Sequence, residues 1–194
     1  NTILINRDLL NELNMDMPSL DWTTDNYRDF LKAGTNAKYS GTEILWGVDE
    51  LIAGSMGQYG YYGFDLDTKT FHMADSWVDA VNLMVELRSY PGLEAWSLRN
   101  TSTDVENSDY AAKFGNSDLS DNHMAFKMGK ILSDPRGTWD MNWLSTDLSF
   151  DWILWPWPSD TTVNGEGASL PMHVDSSLVM ASAQDPEAAF EFVR

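Results

Sequence analysis

The chain has 194 residues, 43% of them hydrophobic, enough for a packed core in one domain of ordinary or slightly large size. Its 30 acidic against 12 basic residues give a net charge of −18, which argues against nucleic acid and disfavours anionic membrane surfaces. Cysteine is absent, which excludes disulfides, thiolate nucleophiles and cysteine-ligated metals but leaves the compartment open.

Taken in chain order, Thr2 to Ile5 read as a short strand. Asn6 then caps a helix with Leu9, Leu10 and Leu13 on one face. A second helix is predicted after Thr23 as N-cap, with Tyr27, Phe30 and Leu31 at helical spacing and Gly34 as its stop. Trp22, just ahead of the cap, is in the position of a hydrophobic staple. Residues 43–46 read as a strand and 48–56 as a helix. The stretch QYGYYGFDLDTKTFHM reads as a loop followed by a hairpin. Ser76 is expected to open a long helix with Asp79 at the capping-box position and Trp77, Ala80, Val81, Met84 and Leu87 on a buried stripe, ended by Pro91-Gly92.

The Ser-, Thr-, Asn- and Asp-rich residues 97–120 read mostly as loop. A helix near 121–128 leads to a strand near 130–134, and Pro135-Arg136-Gly137 reads as a turn before a short helix holding Trp139. Residues 149–155 form a strand ended by Pro156 and Pro158. Of Trp155 and Trp157, at least one is expected to be buried. A last strand, 176–182, precedes a helix marked by Asp185 and Pro186. Alternating helices and short strands without a repeat give an α/β or mixed α+β class.

Five blocks in this order resemble one family. LINRDLL is similar to the YNKDLF segment of bacterial extracellular solute-binding proteins of the sugar-binding type (family 1), partners of ABC importers. PSLDWTTDNYRDFLKAG resembles that family's P-x-TWDEF helix start, and AFKMGKILSDPRGTW its aFxxGkaAMxxxGxW block. FDWILWPWP resembles a strand ending in plP, and VDSSLVMASAQDPEAAFEFV a strand followed by a helix beginning xPEaAweFl. The resemblance implies one lobe of a type II periplasmic-binding-protein-like fold, α/β, with helices around a mixed sheet. Residues 1–194 would be a single lobe, mainly the second, with solute held against an opposing lobe and captured by hinge closure. The chain opens on Asn1 and ends at Arg194 inside a predicted helix, which fits a piece of something longer. The full-length protein would be extracellular or periplasmic, lipid-anchored, and read by a membrane permease. A lone lobe would also expose apolar inter-lobe surface, favouring a homodimer.

Sugars present apolar C–H faces and a rim of hydroxyls, so a site needs aromatic planes flanked by polar groups. Trp139 is the first candidate platform by the family alignment; its alternative is a core ring packed on Trp143. Arg136 either hydrogen-bonds a ligand or salt-bridges a neighbour. Trp46 with Asp49, and Gln58 with Tyr59 in a glycine-rich loop, are further ligand-binding candidates, each with a packing or surface alternative. Asp65 and Asp67 lack the glycine and glutamate of a calcium loop, and His72, His123 and His173 show no metal spacing, so no metal or cofactor is expected. No nucleophile elbow or phosphate loop is present. The reading is a non-enzymatic carbohydrate receptor; the alternatives are a receptor for another small solute, or a glycan-degrading enzyme or accessory module.

Overall fold

The computed structural model describes residues 2–45, 64–65, 67–71, 75–115, 123–137, 147–158 and 184–193. Strand β1 (Thr2–Asn6) runs directly into helix α1 (Arg7–Glu12), because the Asn6 side chain accepts from the Leu9 amide at 2.9 Å. Helix α2 (Thr24–Ala33) starts with a full capping box between Thr23 and Asn26. Trp22 packs edge-on against Tyr27 (5.4 Å between centroids) and Phe30 (5.6 Å), so the staple expected from sequence is present. Its indole N–H donates to the Pro156 carbonyl at 2.8 Å, which ties the start of α2 to a distant strand.

Strand β2 (Ser40–Thr42) follows, and the hairpin β3 (Phe64–Asp65) with β4 (Thr70–Phe71) turns where Asp65 accepts from the amides of Asp67 and Thr68. The strand expected at 43–46 is thus displaced: β2 ends at Thr42, and Glu43 and Leu45 lie beyond it. Helix α3 (Asp75–Ser89) begins before Ser76 rather than at it. Its buried side runs through Met84 and Leu87, with Leu83 partly covered, whereas Val81 is 52% exposed alongside Val78 and Val85. The predicted stripe was therefore misplaced at Val81; the side chains of Trp77 and Ala80 lie outside the described residues.

Of the loop expected at 97–120, residues 116–120 lie outside the described residues, and the described part holds two 3₁₀ turns, Trp96–Thr101 and Val105–Asn107, and helix α4 (Asp109–Phe114). Here the polar residues are caps: Asp104 accepts from Glu106 and Ser108 from Ala111. Two aromatics, Tyr110 and Phe114, bury the helix, and Gly115 closes it at φ 68°. Helix α5 (Met124–Lys127), strand β5 (Ile131–Arg136), strand β6 (Trp152–Trp155) and helix α6 (Pro186–Val193) complete the described chain. Asp185 caps α6 through the Ala188 amide, and Trp157, after β6, is buried.

The strands form one mixed sheet in the order β2-β5-β1-β6. β1 lies antiparallel to both β5 and β6, and β2 lies parallel to β5. Alternation along β1 sends Ile3 and Ile5 to a core shared with α1, α2 and α3, and Leu4 to a second core shared with α4 and α5. Close packing is strictest at Gly41 in β2, where an added Cβ would stand 2.3 Å from the Leu31 carbonyl oxygen. Because that oxygen is backbone, Gly41→Ala is expected to cost about 1–3 kcal/mol in urea unfolding; an unchanged midpoint would show that α2 can move off β2.

Candidate functional site

Since β1 opposes both β5 and β6, and β2 parallels β5, strands β2, β5 and β6 run the same way and end on one edge of the sheet. The register fixes that edge: Arg136 lies opposite Thr2, and Pro135 and Trp155 both lie opposite Ile3. In open α/β sheets, ligands are held beyond the carboxyl ends of the strands, where successive loops converge. Pro135 and Arg136 are the last residues of β5, so the turn expected there is instead strand. Proline is tolerated because β2 pairs only as far as Ser133, leaving one side of β5 without a ladder.

Behind this edge is a buried charged cluster. Glu43, fully buried, accepts from the Phe126 amide at 2.7 Å and lies 3.6 Å from the Arg99 guanidinium and 3.5 Å from the Tyr110 hydroxyl. Asp134 pairs with Arg136 and stands 3.2 Å from His123 Nδ1. Burial, reinforced by the nearby Asp134 charge, pushes the Glu43 carboxyl up to about 8 against the opposing pull of the Phe126 amide, Arg99 and Arg136. The Arg99 guanidinium sits 4.2 Å from the Trp96 ring and 4.8 Å from that of Tyr110, while Arg136 lies over Phe126 at 5.7 Å.

The chain 93–96 is laced to the end of β2. Ala95 donates to the Thr42 carbonyl at 2.9 Å, Trp96 to that of Glu43 at 2.8 Å, and Leu45 to the Glu94 carboxylate at 2.9 Å. These bonds fix the path of residues 42–45 beyond β2. Among the candidate ligand-binding residues, Arg136 is described: it is 3% exposed and forms an ion pair with Asp134. Trp46, Asp49, Gln58, Tyr59, Trp139 and Trp143 lie outside the described residues, as do the predicted helix at 48–56 and strand at 176–182. The described backbone stops short of them at the same edge. Leu45 lies three residues beyond the end of β2 and Gly137 one beyond the end of β5. Sequence reasoning missed Glu43, Arg99, Asp134 and Trp96; the available signal was charge inside apolar runs, as in GTEILW and ILSDPRG.

No protein-family model matches the chain, and no curated protein sequence does. Solved structures do match. The ABC substrate-binding protein Lmo0181 of Listeria monocytogenes, in complex with cycloalternan, superposes with a TM-score of 0.62 at 17% identity over 98% of this chain and 44% of its own. The fold is that of the ABC solute-binding proteins. A solute-binding protein from Thermotoga lettingae bound with α-D-tagatose gives 0.55 at 13% identity, covering 98% of this chain and 46% of that one. A family 1 extracellular solute-binding protein from Bifidobacterium longum subsp. infantis gives 0.52 at 14%, over 98% and 46%. The chain thus spans less than half the length of these solute-binding proteins, and at such identities what is shared is the fold. Among the described residues no helix is long and apolar enough to cross a membrane.

Proposed function

We propose that the chain is the solute-contacting part of a non-enzymatic carbohydrate receptor for an ABC importer, a single lobe working outside the cell against a second one and delivering to a permease. One observation carries the reading: β2 and β5 run parallel and end on a common edge, and Trp46 and Trp139 follow those ends within a few residues in the sequence. The solute-binding fold, and the cycloalternan and tagatose held by two of its members, support a sugar as the solute. Trp139 and Trp46 would stack on sugar rings, with Asp49, Gln58 and Tyr59 supplying hydrogen bonds and Trp143 flanking the platform. Arg136, sealed against Asp134, would serve by holding the root of the Trp139 segment in place.

Titration of the indole N–H signals with mannobiose, tagatose, mannitol and maltotriose tests this directly. Saturable shifts assigned to Trp139, with affinity lowered about tenfold in Trp139→Ala, are expected. No movement of any indole with any of these sugars would sink the carbohydrate reading.

A further inference from the structure

The geometry points to Trp96 as a further stacking platform, one that takes a neutral sugar ring and discriminates against cationic solutes. This inference rests on the receptor reading above and adds to it a residue and a selectivity. Trp96 stands where the platform belongs: its amide donates to the Glu43 carbonyl at 2.8 Å, one residue beyond the carboxyl end of β2. Trp96 is only half-buried, in contrast to the fully buried Trp22. The ring is also packed against a buried cation. The Arg99 guanidinium lies 4.2 Å from its centroid and 4.8 Å from that of Tyr110, so the cation is stacked against two rings, 3.6 Å from the Glu43 carboxyl. Arg99 is itself buried, so this support does not swing with solvent.

A fixed aromatic plane is a low-entropy binding surface, because little torsional freedom is lost when a ligand settles on it. Its electrostatics then choose the ligand. An aromatic face attracts cations through its quadrupole, but here that attraction is already used by Arg99, whose positive charge opposes a second cation. A pyranose meets the ring through C–H groups and dispersion, and carries no charge to be opposed. The acidic balance of the whole chain favours cations in general, so the selectivity would be local to this ring.

The test uses the 194-residue chain and two families of probe: the neutral sugars mannobiose and maltotriose, and the cations choline and spermidine. The Trp96 indole signal, assigned by Trp96→Phe, is expected to move with a neutral sugar along the same isotherm as Trp139 and to stay still with the cations. Trp96→Ala should weaken sugar binding about tenfold, and Trp96→Phe by less, since a smaller plane remains. If Trp139 or Trp46 titrates while Trp96 is silent and Trp96→Phe binds as well as the parent, the inference is overturned and the receptor reading stands. If Trp96 responds to choline or spermidine, its proposed selectivity is overturned. Silence of every indole with both sugars overturns the inference, and silence with tagatose and mannitol as well removes the carbohydrate reading. The titration of the parent chain decides among these even where Trp96→Ala fails to fold.

Discussion

Between pH 5 and 8 the chain is expected to lose stability as pH rises, by an amount that Glu43→Gln removes. Glu43 is fully buried, and its carboxyl is raised from the ordinary 4.5 to about 8, chiefly by burial and then by the Asp134 charge. Within that window the folded chain keeps a proton that the unfolded chain has released. Folding therefore takes up a proton, and each added pH unit costs up to about 1.4 kcal/mol. The contribution is fully present below pH 4.5, and about 4 kcal/mol of it has gone by pH 8. Glutamine mimics the neutral acid and can still accept from the Phe126 amide, so it keeps the shape and removes the titration. The comparison between parent and variant is essential, because an acidic chain carries many other carboxylates. Lys113, which burial lowers to about 8, contributes with the opposite sign and mainly above this window. Urea unfolding of both proteins at half-unit steps makes the measurement. Parallel curves from pH 5 to 8 would show that Glu43 is ionised in the fold and held so by Arg99.

Arg136→Met is expected to destabilise by about 3–5 kcal/mol, since it strands a charge inside the protein. Asp134 is fully buried and Arg136 almost so, and the two form an ion pair. Without the guanidinium, Asp134 keeps the partly exposed His123, with Nδ1 at 3.2 Å, as a hydrogen-bonding neighbour. The contact of Arg136 with the Phe126 ring would be lost as well. A buried pair replaced as a whole behaves differently, so the double variant Asp134→Leu with Arg136→Met should recover most of the loss. Equal stability of the single variant and the parent would mean that water reaches Asp134. A double variant no better than the single one would mean that packing, not charge, sets the effect.

The same residue shows how far the sequence can be read. Pro135-Arg136-Gly137 carries strong turn chemistry, and the neighbouring residues support that local reading. Yet β1 lies beside this segment and pairs Thr2 with Arg136 and Ile3 with Pro135, so the first two residues finish a strand. The stretch 97–120 misled in another way. Its polar residues read as loop, whereas Asp104 and Ser108 cap short helical turns sealed by Tyr110 and Phe114. On α3 the apolar period was sound, but valines 78, 81 and 85 offered a competing face, and only contact with the rest of the core chose Met84 and Leu87.

What the sequence by itself determined was the chemistry contained within a turn or two of chain. The Asn6, Thr23 and Asp185 caps, the Trp22 staple and the stop at Pro156 each depend on partners a few residues away, so their identity and spacing suffice. The ordered blocks also carried the solute-binding fold, since several modest signals in one order constrain topology together. Tertiary structure alone decided which charges were buried and which strand ends share an edge. Glu43 and Phe126 are 83 residues apart in the chain and Thr2 and Trp155 are 153 apart, yet each pair is joined by a hydrogen bond. Whether a carboxylate is a solvated surface group or a raised, proton-holding one depends on the dielectric and the charges that such distant segments bring around it.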